Sequence, residues 1–117
     1  QQHHVYKRAK VALSINHFND IELYYSDRQL IAMASGTPVV CRYVPGLERE
    51  FTDHEHCAFW RSGLHGELVA LVKYLLEYPE EAARMGAAGR DQVLGDHTWE
   101  ARIRALRPIA EQWRGAL

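Results

Sequence analysis

Residues 26–42, Ser-Asp-Arg-Gln-Leu-Ile-Ala-Met-Ala-Ser-Gly-Thr-Pro-Val-Val-Cys-Arg, constrain the fold more than any other stretch of the chain. They read as a polar helix start, two apolar turns, a glycine stop and a buried strand. Ser26 or Asp27 can cap the first free backbone N–H groups, and Gly36 stands where a left-handed residue ends a helix. Thr37-Pro38 bars further helix, and Val39, Val40 and Cys41 form the apolar run of a strand buried on both faces. Upstream, Val11-Ala-Leu-Ser-Ile-Asn16 reads as a second such strand, joined to the helix by the ten residues 17–26. This is a β-loop-α-β unit. Its long loop leaves the carboxyl end of a strand, the place where ligands bind in open α/β sheets.

The rest of the chain extends the pattern. Pro45-Gly46 signals a turn, Leu47–Phe51 one helical turn, and Cys57–Trp60 a third short strand. From about Gly66 only helices are expected. Leu68, Leu71, Val72, Leu75 and Leu76 recur at helical spacing and stop before Pro79. Pro79–Leu94 reads as a second helix, broken by Gly95-Asp96, whose small residues (Ala82, Ala83, Gly86, Ala87, Ala88, Gly89) imply close packing. Thr98 opens a final helix with Trp99, Ile103, Leu106, Ala110 and Trp113 in an apolar seam and Pro108 as a kink. A further short helix is expected over residues 3–10.

The expected architecture is therefore one α/β domain over residues 1–117. It is a partial Rossmann-like three-layer fold, with a short parallel sheet of three or four strands and a helical C-terminal half. A doubly wound sheet has about five or six strands. The remaining strands are expected before Gln1, which makes the chain part of a longer polypeptide. An incomplete sheet exposes an edge or apolar face, so self-association into a homo-oligomer is expected as well.

Composition excludes several function classes. With 14 basic and 15 acidic residues, the formal net charge is −1, too small a field for binding nucleic acid through bulk charge. No apolar run approaches the roughly 20 residues that span a bilayer, and Gln1-Gln-His-His lacks the order of a signal peptide. Cys41 and Cys57 read as two buried thiols, which suits a reducing, cytoplasmic compartment, with a disulfide or redox pair as the alternative.

The candidate chemistry sits on the loop and the helix start. A helix N-terminus carries unpaired N–H groups and about half a positive charge, so it attracts phosphate or carboxylate. Arg28 adds a cation in that first turn, against the helix dipole, which points to an anionic ligand or to pairing with Glu22 or Asp27. Asn16 ends the apolar run, able to bond a ligand or to cap the turn. Glu22 can accept sugar hydroxyls or stand simply solvated, His17 can touch a phosphate or pack beside the strand end, and Tyr24 and Tyr25 can stack on a ligand or anchor the loop. Asp53-His-Glu-His56 places two imidazoles close together, but without the cysteine pair or His-Glu-x-x-His helix of a zinc site it reads as a solvated loop.

Lys10-Val-Ala-Leu-Ser-Ile-Asn16, Ser26-Asp-Arg28 and Ala32-Met-Ala-Ser-Gly-Thr-Pro-Val-Val40 together resemble the C-terminal domain of GT-B-fold glycosyltransferases. The resemblance is to the group 1 type, in the branch of spore-maturation-like proteins. Pro45-Gly-Leu-Glu48, Glu67–Leu76, Pro79-Glu-Glu with Ala88-Gly-Arg90, and His97-Thr-Trp with Arg102 extend it across residues 7–105. The resemblance implies a domain that holds a nucleotide-sugar donor, while a missing N-terminal Rossmann-like domain supplies most of the acceptor site. It also implies metal-independent sugar transfer, with helix dipole and basic side chains stabilising the departing diphosphate. Donor contacts are expected at Asn16, His17, Glu22, Ser26, Asp27 and Arg28. One departure stands out. Retaining members carry two glutamates with seven residues between them, the second binding the ribose; here Ile31 holds that second position, and Glu22 lies one place from the first. The alternative reading is a non-catalytic, glycosyltransferase-like interaction module or pseudoenzyme.

Overall fold

A computed structural model of the chain describes residues 8–16, 18–23, 25, 27–96, 98, 100, 104, 107, 108 and 112. Strand β1 (Ala12–Ser14) leads through the long loop to helix α1 (Asp27–Ala34), then to strand β2 (Val39–Arg42). A 3-10 turn at Leu47–Arg49 precedes strand β3 (Ala58–Trp60), and helices α2 (His65–Glu77) and α3 (Pro79–Asp96) follow. The sheet is parallel in the order β1-β2-β3, with Ala12 opposite Val39, and Val40 opposite Ala58.

Alternation along the strands divides the core in two. Ala12, Val39, Cys41 and Phe59 face α1 and α3, joining Ala32, Met33, Leu47, Phe51 and Val93 in one buried cluster. Val40 and Ala58 point the other way, against Leu75, Leu71, Leu68 and Val72 of α2 and against Ala82 and Met85 of α3. Four members of the spacing that predicts α2 (Leu68, Leu71, Val72 and Leu75) thus form its packed face, while the fifth, Leu76, lies off that face and is 51% exposed.

Gly36 ends α1 as expected. Its φ of 80° is left-handed, and its N–H donates to Met33 O at 2.9 Å. The small residues of α3 let it lie directly on backbone. A Cβ at Gly86 would stand 2.2 Å from Gly36 O, and one at Gly89 2.4 Å from His56 O. Helix α2 starts with help from Ser62, whose N–H and Oγ both donate to Glu67 Oε1 at 2.7 Å while its Oγ accepts from Leu64 N–H. This reciprocal bonding stands in for a cap at Leu64, which has no side-chain acceptor.

Two expectations need correction. The first strand is not buried on both faces, because Leu13 is 49% exposed and Ile15 57%. Helix α2 packs on β2 and β3, so the outward side chains of β1 lie past its cover. Gly95-Asp96 does not break the second long helix, since α3 runs through to Asp96. The intrinsic cost of one glycine, about 1 kcal/mol, does not end a helix already docked along its length. Most of the short helix expected over residues 3–10, and the seam of Trp99, Ile103, Leu106, Ala110 and Trp113, lie outside the described residues.

Candidate functional site

The carboxyl end of β1 and the first turns of α1 enclose a small cavity of about 150 Å³, lined by Leu13, Ser14, Ile15, Arg28 and Ala32. Arg28 and Ala32 are four residues apart and so share one helix face. Ser14 is the last inward-pointing residue of β1, only 8% exposed, and its Oγ has no hydrogen-bond partner. Among the described residues the lining holds one cation, Arg28, and no carboxylate, a balance that favours an anion.

Unpaired buried polar atoms concentrate around this junction. Among the described residues, those that no side chain or backbone group satisfies are Ser14 Oγ, Asn16 Oδ1, Asn19 Oδ1 and Gln29 Oε1. All four belong to the strand end, the loop or the helix start. Leaving such an atom buried and unbonded costs about 1–3 kcal/mol, so their grouping marks a region whose polar partners come from outside the chain.

The loop itself is pinned across the β2–β3 connection. Leu23 N–H donates to Pro45 O at 2.8 Å, Glu22 pairs with Arg49 of the 3-10 turn, and the Tyr25 ring meets Phe51 edge-on at 6.2 Å. Asn16 Nδ2 donates to Arg42 O at 3.2 Å, tying the ends of β1 and β2 together. Tyr25 thus anchors the loop, one of its two expected roles. Glu22 directs its carboxylate to Arg49, and Ile31 sits half-exposed on α1, one turn past Arg28. Asp27 opens α1 through its backbone. His17, Tyr24 and Ser26 lie outside the described residues. Asn16 and Arg28 are therefore the expected donor residues found around one junction.

Ser14 was not among the residues singled out from the sequence. Its signal is a polar side chain at an inward position of an otherwise apolar strand. Arg42 and Arg61, at the carboxyl ends of β2 and β3, went unnoticed too. Arg42 Nη1 donates to Trp60 O at 3.2 Å and Arg61 O at 2.9 Å, and its guanidinium lies over the Trp60 ring. Arg61 lies 4.8 Å from the Tyr43 centroid and 3.7 Å from Asp53 Oδ2. Nearby, the Tyr43 hydroxyl donates to Glu48 Oε2 at 2.6 Å. That bond raises the phenol pKa above its ordinary value and lowers the carboxyl's.

The histidine loop is structural in part. His56 Nδ1 accepts from Thr52 N–H at 2.9 Å, and Asp53 Oδ1 accepts from Phe59 N–H at 2.8 Å. Among the described residues, no group of three or more His, Cys, Asp or Glu side chains could hold a metal ion. Cys41 and Cys57 are both free and fully buried, with Sγ atoms 3.6 Å apart. The hydrogen bond the two thiols share, and then burial, push the Cys57 thiol pKa well up.

The glycosyl transferase-like family model matches residues 1–107. The chain belongs to that family. Among solved structures, sucrose-phosphate synthase from Thermosynechococcus elongatus superposes with a TM-score of 0.78 at 24% identity, over 97% of this chain and 27% of that one. HepE of Anabaena, solved in complex with UDP, gives a TM-score of 0.68 at 15% identity, over 95% of this chain and 29% of that one. The fold is that of the GT-B Rossmann-like domains of these neighbours, and the chain spans less than a third of either neighbour's length. No curated protein matches the chain. No helix among the described residues is long and apolar enough to cross a membrane.

Proposed function

We propose that this chain is the nucleotide-sugar donor-binding portion of a glycosyltransferase that moves a sugar from a nucleoside diphosphate to an acceptor. One observation carries the reading: Arg28 stands on the wall of a cavity at the carboxyl end of β1, beside the amino end of α1. A departing diphosphate gathers negative charge there, and a guanidinium together with the positive end of the helix dipole offsets it. The UDP bound by HepE supports the same ligand class. We place the chain in the spore-maturation-like branch on its Ala-Ser-Gly-Thr-Pro-Val-Val and Pro-Gly-Leu-Glu series.

In this proposal transfer needs no metal, and an N-terminal Rossmann-like domain completes the cleft. Such a domain would also cover the exposed Leu13 and Ile15. A cytoplasmic setting is part of the same reading, suited by two buried free thiols.

Calorimetric titration with UDP, GDP and their sugars tests the reading, with UDP binding unchanged in excess chelator. Arg28→Ala is expected to weaken diphosphate ligands by tenfold or so while leaving uridine unchanged. Equal losses for UDP and uridine would remove Arg28 from the diphosphate site. Ile31 supports a second reading, a non-catalytic binding module, because an apolar side chain cannot accept the ribose hydroxyls. Ile31→Glu is expected to tighten ribose-containing ligands. An unchanged affinity would count against a ribose beside α1.

A further inference from the structure

Among the described residues the walls of the β1–α1 cavity are apolar apart from two side chains, Ser14 and Arg28. Leu13, Ile15 and Ala32 offer no side-chain hydrogen bond. Ser14 is more than nine-tenths buried, yet its hydroxyl finds no hydrogen-bond partner among the described residues. A hydroxyl can both donate and accept, and a serine at a strand's last inward position has ordinary ways of being satisfied. It uses none of them. The volume, about 150 Å³, is that of a cavity able to hold a benzene ring and falls below the roughly 300–1,000 Å³ of sites that enclose a drug-sized molecule. The cavity therefore admits one compact group of a ligand, and the remainder lies outside it.

We propose that Ser14 is a ligand-binding residue, whose hydroxyl donates a hydrogen bond to an oxygen of the compact anionic group seated beside Arg28. The inference rests on the donor-site reading and adds to it the group that the cavity takes. That group is a phosphate of the diphosphate; the base and sugar stay outside. Ser14 supplies direction and Arg28 supplies charge. The unpaired hydroxyl is a cost that the free protein carries and that binding removes.

The Ser14→Ala variant of the full chain tests this, with UDP, inorganic pyrophosphate and uridine as probes in calorimetry, and thermal melting without ligand as the second readout. Loss of one hydrogen bond to a charged group predicts about tenfold weaker binding of both UDP and pyrophosphate, and no change for uridine. The melting temperature of the free variant is expected to stay level or rise, because an unsatisfied buried hydroxyl has been removed. A merely structural serine gives the reverse, a lower melting temperature with unchanged affinity. Ser14→Cys, close in size and a weak donor, is expected to lose most of the same affinity and guards against a misfolded alanine variant. If the unmodified chain binds UDP and pyrophosphate and both variants bind them equally well, the role of Ser14 is overturned while the donor reading stands. If the unmodified chain binds neither, both are overturned.

Discussion

Gly86→Ala tests the packing that holds the two sides of the domain together. The added methyl carbon would stand 2.2 Å from Gly36 O, 3.1 Å from Gly36 C and 3.3 Å from Pro38 N. Carbon contacts are most favourable near 3.5–4.0 Å, so the nearest atom lies more than about 1 Å too close. All three atoms are backbone, at the turn that closes α1 and opens β2, and none can swing aside as a side chain would. Overpacking of this kind costs about 1–3 kcal/mol, and the rigid partner argues for the top of that range or above. Alanine returns about 1 kcal/mol of helix propensity, leaving a net loss of about 2 kcal/mol or more. Gly95→Ala is the control: it lies in the same helix with nothing within 4 Å of its added carbon, and is expected to stabilise by about 0.5–1 kcal/mol. The two variants should differ in melting temperature by on the order of 10 °C, at about 4–8 °C per kcal/mol. Thermal and urea unfolding followed by far-UV circular dichroism measure both. A Gly86→Ala protein as stable as Gly95→Ala would refute the close approach of α3 to Gly36.

The raised pKa and full burial of Cys57 predict that native protein resists thiol reagents near pH 8, whereas urea-unfolded protein releases two reactive thiols. A fast native reaction would contradict the packing of β2 against β3. The Glu67 carboxyl is held below its ordinary value of 4.5, chiefly by the hydroxyl and then the N–H of Ser62. A depressed folded pKa stabilises above the unfolded value and is lost as pH falls through the folded one. Glu67→Gln is therefore expected to be less stable than the parent at pH 7, with the gap closing below about pH 4.5; a gap that persists at pH 3 would assign the loss to something other than charge. Phe51→Ala, which empties a buried site against Tyr25 and His56, is expected to cost about 3–5 kcal/mol and to loosen the loop held by Tyr25. Faster amide exchange at residues 18–23 checks the second effect.

Much of the fold could be read in advance because it follows from local rules. Gly36 before Thr37-Pro38 ends a helix whatever surrounds it, and the apolar period from Leu68 to Leu75 defines a single face. The element order and the parallel β-loop-α-β unit follow from these. So does the region of the candidate site, since a long loop at a strand's carboxyl end is a property of connectivity.

What escaped the sequence depends on neighbours distant along the chain. Leu13 and Ile15 resemble Val39 and Val40 in type, but no local feature says that α2 stops short of β1. Gly95 looks like a helix breaker until α3 is seen docked on the Gly36 and His56 carbonyls. Glu22 looked available to a ligand, and Arg49, 27 positions away, engages it. Ser14 gives the plainest case: the alternation of β1 turns it inward, but only the assembled sheet and α1 leave its hydroxyl unpaired above a cavity. Local sequence sets which backbone conformation each segment adopts, because propensity and hydrophobic period act over a few residues. Burial and pairing are set by what the rest of the chain brings to each side chain, so the tertiary structure alone decides them.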